Sequence, residues 1–291
     1  MKKSFNLFLS IVILIITVLT TPTLVSAATH SSYTSQLTSS EKTVESKILK
    51  YIKKHPEKKS YTYTYKVKSS KANAVRKAMK KYFKLYARSM TALYLDYPEY
   101  YWLNNPVFNA KGLIIGNKGK VEVRVDFNNS ISHNKKTVKA QKKLLNSAYK
   151  QIKKSNPKTS SEKITAINEW LCDNVKYNVN TAGFTGYGVL KNKSGVCDGI
   201  SSAFKMLCKK FKIKCFKVRG YTDGQLHAWN IVKCSGKWLG VDSTWNLSTG
   251  RNLYLMQNKK EFNVNHKRMK EVGGYSYNGS ILKFKDLKPP F

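Results

Sequence analysis

Acidic residues are scarce: 16 Asp and Glu stand against 53 Lys and Arg in 291 residues, for a formal net charge of +37. The shortage leaves no carboxylate cluster of the kind that oxygen-ligated calcium requires, so no calcium site is expected. Arginine is scarce too, since only six of the basic residues are Arg. A reader of nucleic-acid sequence leans on Arg for bidentate base contacts, so lysine spread over every element points to a generic cationic surface rather than specific nucleic-acid recognition, and an extracellular nucleic-acid binder rests on net charge alone. Cysteine is limited to five residues, none in Cys-x-x-Cys or zinc-finger spacing with His, and no metal or cofactor is expected. Seven Pro and 16 Gly exclude collagen-like or linker composition, and no repeat of 20–50 residues is visible. Mean hydropathy of −0.45 excludes a polytopic membrane protein, while 41% hydrophobic residues exclude a disordered basic tail.

The one long apolar run stands at the start. Lys2 and Lys3 precede a mostly apolar stretch from Leu7 to Leu19, with Pro22 and the small residues of Val25-Ser26-Ala27 after it. This pattern reads as a secretory signal over 1–27, cleaved near Ala28, with no transmembrane anchor left afterwards. Removing two lysines and no acid leaves 37 − 2 = +35. Such a charge is either solvated lysine or a means of retention on anionic cell-envelope polymers.

Periodicity divides the remainder. Val44, Ile48, Tyr51 and Ile52 give a helix over Glu41 to Lys54, and Tyr61, Tyr63, Tyr65 and Val67 alternate as a strand. A long amphipathic helix carrying Val75, Met79, Tyr82, Tyr86, Met90 and Leu93 should end before Pro98. Strands Val107 to Ile115 and Val121 to Phe127 should join through a turn at Asn117-Lys118-Gly119, and a Lys-rich helix runs from about Thr137 to Lys153. The Ser155-Asn156-Pro157 boundary separates an N-terminal α+β region, 28–157, from a second region, 158–291. That second region opens with a helix over Ile164 to Val175 and a Gly- and Thr-rich loop from Asn178 to Gly188.

The chemistry concentrates after that loop, in Ser194-Gly195-Val196-Cys197-Asp198-Gly199. Ile200, Phe204, Leu207, Cys208 and Phe211 repeat at helical spacing, which puts Cys197 in the first turn with Ser194 available as a cap and Asp198 where the helix dipole favours an acid. Free backbone N–H groups at a helix start stabilise a thiolate and donate to an oxyanion. A free cysteine is ordinarily a small buried hydrophobe, as expected of Cys208; Cys197 stands off the apolar stripe. Among five histidines, His30 is near the mature N-terminus, His55 and His133 lie in Lys-rich polar surroundings, and His266 lies in a charged C-terminal stretch and is expected to be dispensable. His227 begins the strand pattern Leu226-His227-Ala228-Trp229-Asn230-Ile231-Val232. A hairpin turning at Ser235-Gly236 and continuing to Trp245 would pair His227 with Thr244 and set Asp242 diagonally beside it on the same face. Asp242 would then orient His227, His227 would take the thiol proton, and Cys197 would attack a carbonyl.

These segments resemble three motifs of the transglutaminase-like superfamily: Gly195-Val196-Cys197-Asp198-Gly199, His227-Ala228-Trp229-Asn230 and Val241-Asp242-Ser243-Thr244-Trp245, spaced 30 and 15 residues apart from Cys197 to His227 to Asp242. The resemblance covers about 160–265, and Asp96-Tyr97-Pro98-Glu99-Tyr100-Tyr101-Trp102 is similar to a segment preceding this domain in secreted Gram-positive members. It implies an α+β, papain-like core, with a Cys-bearing helix on an antiparallel sheet that carries His and Asp. Ile200-Ser201 and Ser243 depart from the residues many bacterial relatives carry there and bear on the substrate groove. Tyr187 matches a Tyr found upstream of the Cys in similar bacterial proteins and is either an oxyanion donor or a packing residue.

The expectation is a secreted or cell-wall-associated thiol enzyme that forms a thioester at Cys197 with a protein or peptide amide. An amine acceptor would make it an acyltransferase, and water a deamidase or a cysteine protease. A non-catalytic cationic envelope-binding protein of the same fold is the alternative. The pairing of Cys172, Cys208, Cys215 and Cys234 is left open by their spacing.

Overall fold

The computed structural model describes residues 31–104, 106–128, 131–179, 181–250, 252–269, 276–277, 280–281 and 286–291. The proposed signal segment, 1–27, and His30 lie outside the described residues.

The N-terminal half is built from α1 (Ser39–Lys54), β1 (Ser60–Val67), α2 (Ala72–Asp96), β2 (Val107–Ile115) and β3 (Lys118–Asp126). Helix α1 starts at a capping box in which Thr38 and Glu41 satisfy each other's backbone N–H groups, and it buries Val44, Ile48 and Ile52. The three strands form an antiparallel sheet in the order β1-β3-β2, with Val121, Val123 and Val125 of the central strand fully buried. Ile115 pairs directly with Lys118, so the β2–β3 turn is Gly116-Asn117, one residue earlier than the expected Asn117-Lys118-Gly119. Gly116 adopts φ +55°, a backbone that glycine reaches without strain.

From Tyr86 to Leu95 every residue of α2 is buried, since this half of the helix packs against α1 and also touches the second sheet. Its polar members are therefore bonded. Arg88 pairs with Glu41 and donates to the Gln36 carbonyl at 3.1 Å, and the hydroxyls of Ser89 and Thr91 donate to backbone carbonyls of the preceding turn at 2.8 and 2.9 Å.

The second half contains α3 (Lys135–Lys153), α4 (Ser160–Asn174), β4 (Lys176–Tyr177), α5 (Gly186–Asn192), β5 (Ser194–Gly195), α6 (Cys197–Lys210), β6 (Cys215–Thr222), β7 (Gln225–Cys234), β8 (Lys237–Val241), α7 (Ser243–Thr249), β9 (Leu255–Gln257), α8 (Lys259–Phe262) and β10 (Lys267–Arg268). Its main sheet is antiparallel, in the order β10-β6-β7-β8-β9. The chain is thus α+β.

This sheet is covered on both faces. Phe216, Val218, Trp229 and Ile231 join a core shared with α1, α2 and the first sheet, while Val232, Cys234 and Val241 pack with α4, α5 and α6. Ala148 and Ile152 of α3 also enter the second core, so packing crosses the boundary expected at 157. The stretch expected as a loop from Asn178 to Gly188 already contains the start of α5, capped by the Thr185 hydroxyl accepting from Gly188 N–H at 3.0 Å.

Candidate active site

Cys197 opens α6, but its N-cap is Val196, and no side chain caps the helix. Ser194, expected as the cap, stands two residues before that position. What positions the cysteine is a steric device. Residues 194–195 run parallel to β4, Val196 N–H donates to the Gly183 carbonyl at 3.1 Å, and that same carbonyl presses on Gly199. A Cβ at Gly199 would meet the Gly183 oxygen at 2.0 Å, and one at Gly195 would meet Val189 at 2.5 Å. Both glycines of the Gly-Val-Cys-Asp-Gly segment are thus required by close backbone approach.

The β7–β8 hairpin has the expected register, with Cys234 opposite Lys237 and Asn230 opposite Val241. Ser235 and Gly236 both adopt positive φ, +46° and +81°, as a two-residue turn that matches strand twist demands. The strand nevertheless ends earlier than expected. At Val241 the register shifts, and residues 243–249 form α7, so Thr244 does not pair with His227. Asp242 becomes the N-cap of α7, and its Oδ1 accepts from the backbone N–H groups of Thr244 and Trp245 at 2.9 and 3.2 Å. This cap orients the carboxylate so that its other oxygen, Oδ2, meets His227 Nε2 at 2.7 Å.

The electrostatics of His227 also feel Cys197. Burial pulls its imidazolium down, but the Asp242 bond, the Cys197 bond and the negative charges of both partners outweigh burial and raise its pKa to about 9. Asp242 is fully buried; burial pushes its carboxyl up, yet the bonds from His227 and His266 hold it below the usual carboxylate range. The three expected residues, Cys197, His227 and Asp242, are therefore brought together.

His266 was set aside as part of a charged stretch, and the structure corrects this. It is 2% exposed, its Nε2 donates to the same Asp242 Oδ2 at 3.0 Å, and its ring stacks on Phe262 with centroids 3.9 Å apart. Trp229 and Trp245 close around it, each with a centroid distance of 4.9 Å. The sequence signal was there in Phe262 four residues earlier, an aromatic and a histidine one turn apart. His133 likewise is not in a polar setting: it is buried, stacked on Trp102 and bonded to the Pro56 carbonyl at 2.6 Å.

Tyr187 stacks on Tyr101, centroids 5.1 Å apart, and is 6% exposed, which gives it a packing role in the core shared by the two halves. The cysteine has other neighbours. Its charge raises the pKa of Tyr177, after burial, and acts on Tyr94 and Lys217. Behind it, Asp198 turns away from solvent to accept from Tyr94 Oη, from Lys217 Nζ at 3.0 Å and from Arg219 Nε at 3.1 Å. Burial pushes the Asp198 carboxyl up, but Arg219 and Lys217 bring it down to about 2. Lys217 is fully buried, and burial lowers its ammonium to about 8 against the opposing pull of Asp198.

His227, Asp242 and His266 are the group among the described residues whose composition resembles a metal site, with candidate ligand atoms within 4.8 Å of one another. Those atoms are engaged in the hydrogen bonds just described. All five cysteines are free thiols.

The family model for the transglutaminase-like superfamily matches residues 147–243, a span that contains Cys197, His227 and Asp242. That match spans about a third of the chain. Human kyphoscoliosis peptidase is 31% identical over 105 residues, covering 30% of this chain and 16% of that protein, so the chain spans only a small part of this relative. A solved structure of a TGase overlaps 47% of this chain and 44% of its own, at 15% identity and a TM-score of 0.35. A candidate cysteine protease from Cytophaga hutchinsonii overlaps 52% of this chain and 66% of its own, at 16% identity and a TM-score of 0.31. His266 lies beyond the matched span, as does the whole N-terminal half.

Proposed function

We propose that the chain is a secreted thiol enzyme whose catalytic triad is Cys197, His227 and Asp242 and whose substrate is a protein or peptide amide. The observation that carries this reading is the pairing of a helix-start cysteine with an imidazole bonded to a buried carboxylate at 2.7 Å. The Cys197 thiolate attacks the carbonyl carbon, and the tetrahedral oxyanion accepts from the Cys197 backbone N–H at the uncapped end of α6. As the C–N bond breaks, the His227 imidazolium gives its proton to the leaving nitrogen, and a thioester remains on Cys197. Neutral His227 then takes a proton from the nucleophile that resolves the thioester. If that nucleophile is an amine, a lysine for example, the product is a transferred acyl group; if it is water, the outcome is deamidation or peptide-bond cleavage. The similarity to kyphoscoliosis peptidase over the matched span favours cleavage as the second reading.

Mass spectrometry of Gln peptides and of protein substrates, with and without a primary amine, separates the three outcomes by their mass changes. If no Cys197-dependent acyl-enzyme forms with any of these substrates, the enzyme reading fails and a non-catalytic envelope-binding protein becomes the better account. Diffuse lysine charge is the proposed means of retention on anionic envelope polymers, and it is screened over about 8–10 Å at physiological salt. Binding to such polymers should therefore fall steeply as salt rises, and binding unchanged in molar salt refutes this part of the proposal.

A further inference from the structure

The Asp242 carboxylate is fully buried and accepts four N–H donors: two from the backbone of α7 to Oδ1, and one each from His227 and His266 to Oδ2. His266 differs from an ordinary packed histidine in what its two nitrogens face. Nε2 meets the Asp242 carboxylate at 3.0 Å and Nδ1 meets the Phe262 carbonyl at 3.1 Å. Both partners are acceptors, so the two bonds form together only when both ring nitrogens carry hydrogen.

The sheet makes room for this arrangement. A Cβ on Gly240 of β8 would meet the Phe262 ring at 2.3 Å, and a Cβ on Gly220 of β6 would meet the Lys267 carbonyl at 2.3 Å. Two glycines on separate strands thus let the segment carrying His266 seat against the site.

We infer that His266 is a positioning residue that shares the Asp242 carboxylate with His227 as a second cation, holding Asp242 in place and setting the pH window of the Cys197–His227 pair. The inference rests on the proposed thiol chemistry. The titratable groups facing His266 are Asp242 from the start of α7, His227 from β7 and Tyr254 from the segment before β9; the other ring neighbours, Trp229, Trp245 and Phe262, carry no charge. On its own segment, the Arg268 guanidinium is held by Asp286 at 2.6 Å. A positive charge at His266 favours the thiolate and disfavours the His227 imidazolium, so it moves both limits of the ion-pair window to lower pH.

The test needs no knowledge of the substrate. Rates of iodoacetamide alkylation of Cys197, read by peptide mass spectrometry across about pH 4–10, are compared in the full chain and two variants. His266→Gln keeps a donor near the Nε2 position and removes the charge, so both limbs should move alkaline by about half a pH unit or more. His266→Phe keeps the aromatic stack but removes both bonds, and alkylation at neutral pH should slow by about tenfold. A merely structural role lowers the melting temperature without moving the limbs. If His266→Gln is folded and its profile overlays that of the unaltered chain, the role assigned to His266 is wrong while the thiol reading stands. If Cys197 in the unaltered chain alkylates no faster than the other four thiols, the thiol reading fails and this inference with it.

Discussion

Replacing Asp198 by Asn tests whether the buried cluster behind the nucleophile is held together by that carboxylate. Asp198 receives Tyr94 Oη, Lys217 Nζ and Arg219 Nε, three donors around one carboxylate. An amide offers one acceptor oxygen and turns an NH2 towards one of those donors. Lys217 is fully buried, so it would be left as an uncompensated charge, whereas Arg219, 29% exposed at its side chain, can turn to water. Breaking such a pair from one side costs about 3–5 kcal/mol. The lowering of the Asp198 carboxyl from 3.8 to about 2 is a coupling of about 2 kcal/mol. That contribution is present above the unfolded carboxyl pKa and is lost as pH falls through about 2.

The lowering of the Lys217 ammonium from 10.5 to about 8 has the opposite sign, a cost of about 3 kcal/mol at neutral pH that fades as pH rises between these values. The ion pair is therefore close to neutral for stability as a whole, yet severe to break from one side. Differential scanning fluorimetry should show Asp198→Asn melting about 5–10 °C lower at pH 7, at about 2 °C per kcal/mol for a chain of this size. Lys217→Met combined with Asp198→Asn should recover a large part of that loss, because Met fills the volume without a charge to solvate. A double variant no more stable than Asp198→Asn alone would refute the reasoning, since the damage would then not come from the stranded ammonium.

Three further outcomes are expected. At mildly alkaline pH, iodoacetamide should label Cys197 well before Cys172, whose thiol burial raises to about 11, and before Cys208, which burial raises well above the ordinary range; peptide mapping that finds Cys208 labelled first contradicts this. His227, raised from 6.5 to about 9, contributes stability fully present below pH 6.5 and lost as pH climbs through about 9, of order 3 kcal/mol. Cys197→Ala removes part of what raises His227, so its denaturation midpoint should vary less over that window, and an identical pH dependence in the two proteins refutes the coupling. Gly199→Ala should lower the melting temperature steeply, because its Cβ meets the Gly183 backbone oxygen at 2.0 Å, with no side chain there to yield; a variant as stable as the parent would show that the α5–α6 approach is looser than described.

Periodicity made much of the fold legible, because helices α1 and α4 and strand β3 each bury one face against a core and leave the other more exposed. Where prediction and structure part, a local preference was overruled by a neighbour. Val241-Asp242-Ser243-Thr244-Trp245 continues the β8 alternation in sequence, yet Asp242 caps α7 and ends the strand, since its carboxylate satisfies two N–H groups that a strand would have paired elsewhere. The Gly- and Thr-rich stretch before Cys197 looks like a loop by composition, yet Thr185 caps a helix within it, and its glycines serve close packing: a Cβ on Gly186 would meet Met206 Sδ at 2.8 Å.

The site shows a sharper version of the same limit. Cys197, His227 and Asp242 were legible because each sits in a local setting that looks wrong for a merely structural residue: a thiol at a helix start, a histidine opening a strand, an acid at a strand end. His266 has only a faint local mark, Phe262 one turn earlier, since Val264, Asn265, Lys267 and Arg268 around it are ordinary surface residues in composition. Its burial is created by partners distant in sequence, Asp242 and Trp229 above all, and by two glycines on other strands that admit its segment. The same holds for Lys217, one lysine among many in the sequence and fully buried in the structure, because it stands on the face of β6 opposite Phe216 and Val218 and so points at Asp198. In a chain so rich in lysine, composition hides the few charges that matter, and only the strand's alternation, tied to the register of β6 against β7, separates a buried ammonium beside the nucleophile from the solvated ones around it.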